Sequence, residues 1–202
     1  MSKNRLIIFT RNPELGKVKT RLAASIGDKK ALKIYTFLLN KTKEVTLNLP
    51  CNKVVYYSVK IRQNDLWSAN FYEKEPQKGN DLGERMENAF KDAFAKGYEK
   101  VLIIGSDLYD LTPKHIHEAF ETLKNNDVVI GPAKDGGYYL LGMKTLQTTI
   151  FKNKKWGTAT VRKETLKDLQ NASIHVLEEL NDIDVYEDLK ENDLLVDLIN
   201  QK

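Results

Sequence analysis

Lys100-Val101-Leu102-Ile103-Ile104-Gly105-Ser106-Asp107 is the stretch on which the fold turns. Positions 101–104 are apolar without alternation, so a strand here is covered on both faces, and a carboxylate follows at its carboxyl end. Residues 5–9 (RLIIF) have the same character and lead into a loop, residues 10–21, containing Pro13 and Gly16. Residues 53–59 (KVVYYSV) are β-branched and aromatic and read as a further strand. Helical periods lie between these runs. Leu32, Tyr35, Leu38, Leu39 and Val45 mark a helix over residues 29–47 with Asp28 as its cap. Leu82, Met86, Ala89, Phe90, Ala93 and Phe94 mark another, capped by Asn80 or Asp81, running to Lys96 and ended by Gly97. Pro113 suits the first turn of a helix reaching about Lys124. Residues 64–77 show no clear period beyond a short strand near Phe71. Residues 127–131 and 138–142 read as strands around the Asp135-Gly136-Gly137 turn. A helix over about 158–169, a strand at 174–176 and one or two C-terminal helices complete the chain. This alternation predicts an α/β fold, with a mostly parallel sheet covered by helices on both sides and some antiparallel strand late in the chain.

The chain has 202 residues, with 32 Lys plus Arg against 28 Asp plus Glu, a formal net charge of +4, and 41% hydrophobic residues. That size and composition predict a single domain over residues 1–202 and exclude a disordered tail, a collagen-like fibre and a disulfide scaffold. No apolar run approaches the ~20 residues needed to span a bilayer. The opening residues are too short and too soon charged for a signal peptide. Cys51 is the only cysteine, so no intrachain disulfide can form, and the expected compartment is the reducing cytoplasm.

The charge is unevenly placed. Residues 1–21 carry Lys3, Arg5, Arg11, Lys17, Lys19 and Arg21 against Glu14, while residues 178–202 carry nine acids against Lys190 and Lys202. The acidic end reads as a solvated helical surface. A nucleic-acid-binding protein would carry a broader basic stripe, so the loop-sized basic cluster points to a loop-sized anion. In an open α/β sheet ligands bind beyond the carboxyl ends of the strands. There Gly16 allows backbone N–H groups to approach a phosphate, and Arg11, Lys17, Lys19 and Arg21 can neutralise a di- or triphosphate. The plainer reading of this loop is a solvated basic turn. It matches neither G-x-G-x-x-G nor G-x-x-x-x-G-K-[ST].

Asp107 emerges at the same edge, where a carboxylate can hold Mg²⁺ or Mn²⁺ together with phosphate oxygens and water; Ser106, Asp107 or Asp110 could equally cap a turn. Asp135-Gly136-Gly137 is a hairpin signal that also lets a substrate approach the backbone. Asp182 and Asp184 form an Asp-x-Asp pattern, and Asp184 with Glu187 has the spacing of a capping box. His115 and His117 are two apart and share no helical face, His175 sits in a strand, and nothing marks Cys51 as a nucleophile.

Five ordered segments, residues 9–22, 79–86, 105–107, 131–140 and 156–161, together resemble the DUF2064 family. That family is labelled glycosyltransferase-like and grouped with the nucleotide-diphospho-sugar transferases of GT-A fold. The resemblance runs from about Leu6 to Leu189 and implies a three-layer α/β/α sandwich binding a nucleotide across the carboxyl edge of a mostly parallel, mixed sheet. It implies phosphate binding by Arg11, Gly16, Lys17, Lys19 and Arg21, with nucleoside contacts from Asp81, Gly83 and Arg85. Asp107 matches the strand-end metal aspartate. Asp135, Gly136, Gly137, Trp156 and Thr158 would lie on the acceptor side. Residues 182–189 look like the D-x-D-T-P-E-D-L tail, which makes Asp184 a candidate second metal contact. Two positions depart from the pattern: Tyr109 stands where members carry proline, and Val185-Tyr186 replace Thr-Pro.

The resulting expectation is metal-dependent transfer from a nucleoside triphosphate or nucleotide sugar to a small-molecule acceptor. Asp107, Lys17 and Arg21 would act on the reacting phosphates, and no covalent nucleophile is needed. The basic loop favours nucleotidyl transfer and the family label glycosyl transfer. A non-catalytic nucleotide-binding module on the same fold is the alternative. Nucleic acid ranks behind both, because the acidic end would repel a phosphate backbone.

Overall fold

The computed structural model describes residues 2–200; Lys202, counted above with the acidic end, lies outside them. Seven strands are found among the described residues: β1 (Asn4–Thr10), β2 (Asn52–Tyr57), β3 (Glu73–Pro76), β4 (Lys100–Ile104), β5 (Val128–Pro132), β6 (Tyr138–Met143) and β7 (Ile174–Val176). They form one sheet in the order β3-β2-β1-β4-β6-β5-β7. β1 is parallel to both β2 and β4, with Ile8 beside Val55 and Ile104. β6 alone runs against its neighbours β4 and β5, joined to β5 through the Asp135 turn. The strand order reverses at β1, so a crevice opens beyond the carboxyl ends of β1 and β4.

Among the described residues seven α-helices flank the sheet: α1 (Thr20–Ile26), α2 (Asp28–Leu47), α3 (Leu82–Ala95), α4 (Pro113–Thr122), α5 (Val161–Asp168), α6 (Tyr186–Lys190) and α7 (Asp193–Asn200). The unbroken apolar strands bury both faces, as their sequence predicts. Leu6, Ile8, Val55, Tyr57, Leu102 and Ile104 pack against Tyr35 and Leu39 of α2 and Ile116 and Phe120 of α4. Ile7, Val54, Tyr56, Val101 and Ile103 pack on the other side against Met86, Ala89 and Phe90 of α3. A third cluster joins Leu22, Ile34 and Leu38 to Leu195 and Ile199, tying α7 to the first two helices. Each fully buried aliphatic side chain contributes roughly 1.5–3 kcal/mol, so these layers hold the sheet rigidly beneath the crevice. The result is an α/β/α sandwich. Among the described residues no helix is long and apolar enough to cross a membrane.

Several local expectations are corrected. The first loop ends earlier than Arg21, because α1 begins at Thr20. Gly27, at φ 85°, precedes α2 and Asp28 is its first residue rather than its cap. Residues 64–77 bury Trp67 against Tyr72, and β3 starts two residues beyond Phe71. Asp184 and Glu187 form no capping box: the Asp188 carboxylate accepts the N–H groups of Asp184 and Val185 instead. That leaves the Asp184 side chain to face the crevice. Lys3 and Arg5 lie outside the basic loop, as their places before and within the first strand lead one to expect. They sit at the opposite, amino end of β1, where Arg5 pairs with Glu73 at 2.7 Å and lies over the ring of Tyr98.

Candidate functional site

The chain leaves β1 at Thr10 and β4 at Ile104, on adjacent strands, so the loops that follow must begin side by side. Buried Tyr35 of α2 locks them together. Its hydroxyl accepts the Arg11 N–H at 2.9 Å and lies 3.3 Å from Thr10 Oγ1 and 3.4 Å from Ser106 Oγ. Thr10 and Ser106 are themselves 3.3 Å apart. Asn12 fixes the loop from the other side: its carbonyl accepts the N–H groups of Val59 and Lys60, and its amide donates to the Lys60 carbonyl. Neither Tyr35 nor Asn12 stands out in the sequence, where one reads as core and the other as a turn residue.

Lys19 is the centre of the arrangement. Its side chain is only 4% exposed, and its Nζ lies 2.8 Å from Asp107 Oδ2 and 3.7 Å from Asp184 Oδ1. The residue precedes α1 with φ 47° and ψ 46°, a left-handed conformation costing a side-chain-bearing residue about 1–2 kcal/mol. Burial alone would lower the Lys19 pKa and raise that of Asp107. Their mutual attraction wins in both cases, so the ammonium is held above its ordinary value. The carboxyl is held below its own, with Arg11 adding to the effect. The pair stays charged at neutral pH. Exposed Arg21 donates to Asp184 Oδ2 at 3.0 Å.

Asp107 also lines a cavity of about 210 Å³. Its lining combines the apolar and aromatic Phe9, Leu82, Met86, Tyr138 and Trp156 with the carboxylates Asp107, Asp135 and Asp182. An isolated bridge between Leu108 and Asp182 sets the two aspartates near one another. Burial, then repulsion from Asp107 and Asp135, pushes the Asp182 carboxyl up to about 6. The Asp-x-Asp pattern was legible, but its two members take different partners: Asp182 lines the cavity, while Asp184 pairs with Lys19 and Arg21.

The remaining expected residues divide between the site and its scaffold. Gly137 and Thr158 line the cavity. Asp135 Oδ1 accepts the Gly137 N–H at 2.8 Å, which shapes the turn. Gly136, at φ 89°, lies where a Cβ would meet the Ala159 backbone at 2.4 Å. A Cβ on Gly83 would fall 2.5 Å from the Trp156 indole nitrogen, so this glycine seats the aromatic wall. Asp81 caps α3 by accepting the Glu84 N–H, and Arg85 donates to the Gly79 carbonyl; neither lines the cavity. Gly16 and Lys17 lie exposed in a turn closed by the Lys17 N–H on the Glu14 carbonyl. Tyr109 stacks on Phe37 with Lys41 over its ring, which packs the segment after Asp107 against α2.

Asp107 and Asp184 reach one point from two distant loops, and a lysine ammonium already sits there. Oxygen donors converging on a positive charge suit Mg²⁺ or Mn²⁺, which need only one or two carboxylates beside phosphate oxygens and water. Among the described residues no group of three or more His, Cys, Asp or Glu side chains is arranged to hold a metal alone. The other coordination positions would therefore fall to phosphate and water. Cys51 has its thiol pushed up to about 11 by burial, which makes it a poor nucleophile.

Comparison with known proteins bears on the family and the fold. The model of a family described as an uncharacterized protein conserved in bacteria, DUF2064, matches residues 42–158. A structure from Desulfovibrio desulfuricans G20, provisionally named a nucleotide-diphospho-sugar transferase, superposes with a TM-score of 0.86 at 30% identity, covering 98% of this chain and 99% of that one. The 2-phospho-L-lactate guanylyltransferase of Methanocaldococcus jannaschii is 29% identical over 137 residues, 65% of this chain and 56% of that protein. The chain thus spans little more than half the length of that curated relative. The bifunctional IspDF of Campylobacter jejuni shares the fold, with a TM-score of 0.60 at 14% identity over 95% of this chain and 55% of that one.

Proposed function

The chain belongs to the DUF2064 family, and from that premise we propose that it transfers a nucleotidyl group from a nucleoside triphosphate to a phosphorylated small-molecule acceptor. The observation that carries the reading is the meeting of Lys19 and Asp107 at 2.8 Å beyond adjacent strand ends, with exposed Arg11, Lys17 and Arg21 around them. A relative named as a guanylyltransferase favours nucleotidyl over glycosyl transfer.

In this reaction an acceptor phosphate oxygen attacks the α-phosphorus. A new P–O bond forms there, the bond to the α–β bridging oxygen breaks, and pyrophosphate leaves with the electron pair. Negative charge grows on the departing group. Lys17 and Arg21, with Arg11 and Lys19, supply the compensating positive charge beside the reacting phosphates. Arginine adds paired hydrogen bonds to phosphate oxygens. Asp107 and Asp184 are the carboxylates that would hold Mg²⁺ or Mn²⁺, and the bound ion supplies charge neutralisation of the triphosphate. The cavity takes the acceptor: Trp156 and Tyr138 give it a flat apolar wall, while Asp135, Gly137 and Thr158 offer hydrogen-bonding groups. At about 210 Å³ it is smaller than the roughly 300–1,000 Å³ of pockets for drug-sized ligands, so the acceptor is small.

A thermal-shift panel of nucleoside triphosphates and nucleotide sugars, with and without Mg²⁺ or Mn²⁺, tests the reading, because a ligand of the native state raises apparent stability with its affinity. Stabilisation by a triphosphate, followed by acceptor-dependent pyrophosphate release, is the expected result. Release of a nucleoside diphosphate from a nucleotide sugar would identify glycosyl transfer instead. Nucleotide binding without turnover of any acceptor would favour a non-catalytic module.

A further inference from the structure

We infer that Lys19 is a resident counter-cation for Asp107 and Asp184, and that a divalent metal enters between these carboxylates only when the phosphates of a nucleotide draw the lysine ammonium away. This rests on the proposed function for the identity of the anion, and it adds a coupling that the family resemblance does not contain. Lys19 Nζ lies 2.8 Å from Asp107 Oδ2 and 3.7 Å from Asp184 Oδ1, so it uses the same oxygens a metal would need. A divalent ion entering between the same carboxylates would stand close to the ammonium, and in a half-buried site with weakened screening the two cations repel strongly.

The neighbouring bases are placed differently. Arg21 reaches only Asp184, and its side chain is 66% exposed, while Arg11 and Lys17 are exposed. Of these four bases, Lys19 is the one paired with both Asp107, in the loop after β4, and Asp184, before α6. Lysine suits the task because it is a point charge on a flexible stem, able to exchange a carboxylate for a phosphate without a fixed fork geometry. Phosphate oxygens arriving at the basic loop offer it such a partner. Once it turns to them, the two carboxylates are left with uncompensated charge that a divalent ion relieves. Metal and nucleotide then strengthen each other's binding by the same factor, as any coupled pair must.

The decisive measurement needs no nucleotide. Mn²⁺ is titrated into the full chain and free Mn²⁺ is followed by its electron paramagnetic resonance signal. Lys19→Met is expected to bind Mn²⁺ more tightly than wild type, by about 5–150-fold, the usual range for coupled sites. The gain should vanish in Lys19→Met/Asp107→Asn. Equal Mn²⁺ affinity in wild type and Lys19→Met, or a gain that survives loss of Asp107, overturns the inference. Should Lys19→Met fail to fold, the wild type still decides. Mn²⁺ should broaden the backbone resonances of Ser106 and Asp107 only when inorganic pyrophosphate is present, and broadening without it overturns the inference. Since the variant titration contains no nucleotide, it can fail while nucleotide-dependent pyrophosphate release stands, and the reverse also holds.

Discussion

Replacing Asp182 with asparagine should stabilise the metal-free protein at neutral pH and leave its stability almost unchanged in acid. The Asp182 carboxyl lies in the cavity, where burial and the charges of Asp107 and Asp135 move it from an ordinary 3.8 to about 6. At about 1.4 kcal/mol for each tenfold change in proton affinity, ionised Asp182 costs the native state about 3 kcal/mol. The sign follows from the order of the two values. Below 3.8 the group is protonated in both folded and unfolded chains and contributes nothing. Between 3.8 and 6 the unfolded chain releases the proton first, so stability falls as pH rises. Above 6 the cost is constant. Asparagine has no charge to desolvate or repel, so Asp182→Asn should gain nothing near pH 3.5 and up to about 3 kcal/mol at pH 7.5. Urea denaturation of both proteins in chelator-containing buffer at the two pH values measures this directly. An equal difference at both pH values, or a loss at pH 7.5, would refute the electrostatic account and mean that the carboxylate is satisfied in the native state. A gain in stability with a loss of turnover would mark the strained carboxylate as one retained for activity.

Asp107→Asn should lower turnover by at least about a hundredfold and destabilise the protein by about 1–3 kcal/mol at neutral pH, because buried Lys19 keeps only the more distant Asp184. The stabilising part is present above pH 3.8 and is lost as pH falls through the depressed folded value, so the two proteins should converge in strong acid when compared by urea titration. Gly83→Ala should cost about 1–3 kcal/mol, since the added methyl meets the Trp156 indole and the Phe151 carbonyl at 2.5 Å. Its KM for the acceptor should rise more than its KM for the nucleotide. Arg21→Ala should change stability by less than about 1 kcal/mol, as expected for an exposed ion pair. It should raise the nucleotide KM by roughly tenfold through loss of a charge-assisted phosphate contact, and unchanged steady-state kinetics would remove Arg21 from the phosphate site.

The large elements were legible because their signals are local. Residues 101–104 and 6–9 are apolar at consecutive positions, which suits doubly covered strands, and the period of Leu82, Met86, Ala89 and Phe90 fixes the inner face of α3. Boundaries were less legible. Nothing local distinguishes Thr20 as a helix start, because the preceding turn depends on Lys19 adopting a left-handed conformation that its distant carboxylate partners maintain. Residues 64–77 hid a buried Trp67 for a similar reason: an irregular segment has no period, and only packing against Tyr72 reveals its inner side.

The site shows the same division. Arg11, Lys17, Lys19, Arg21 and Asp107 could be named from residue type and from their positions after two strands. Which of them pair, and which stay free for a ligand, could not. Lys3 and Arg5 fall outside the basic loop by sequence, and β1 holds them at the far end of the sheet. Asp182 and Asp184 look interchangeable until a bridge to Leu108 turns one toward the cavity and leaves the other facing Lys19. Sequence alone determined the layers and the edge at which chemistry belongs, because hydrophobic period and strand direction act over a few neighbouring residues. The tertiary structure decided the partnership of Lys19 with two carboxylates that lie 88 and 165 positions away, because charges interact across space and no short-range pattern records where the chain returns.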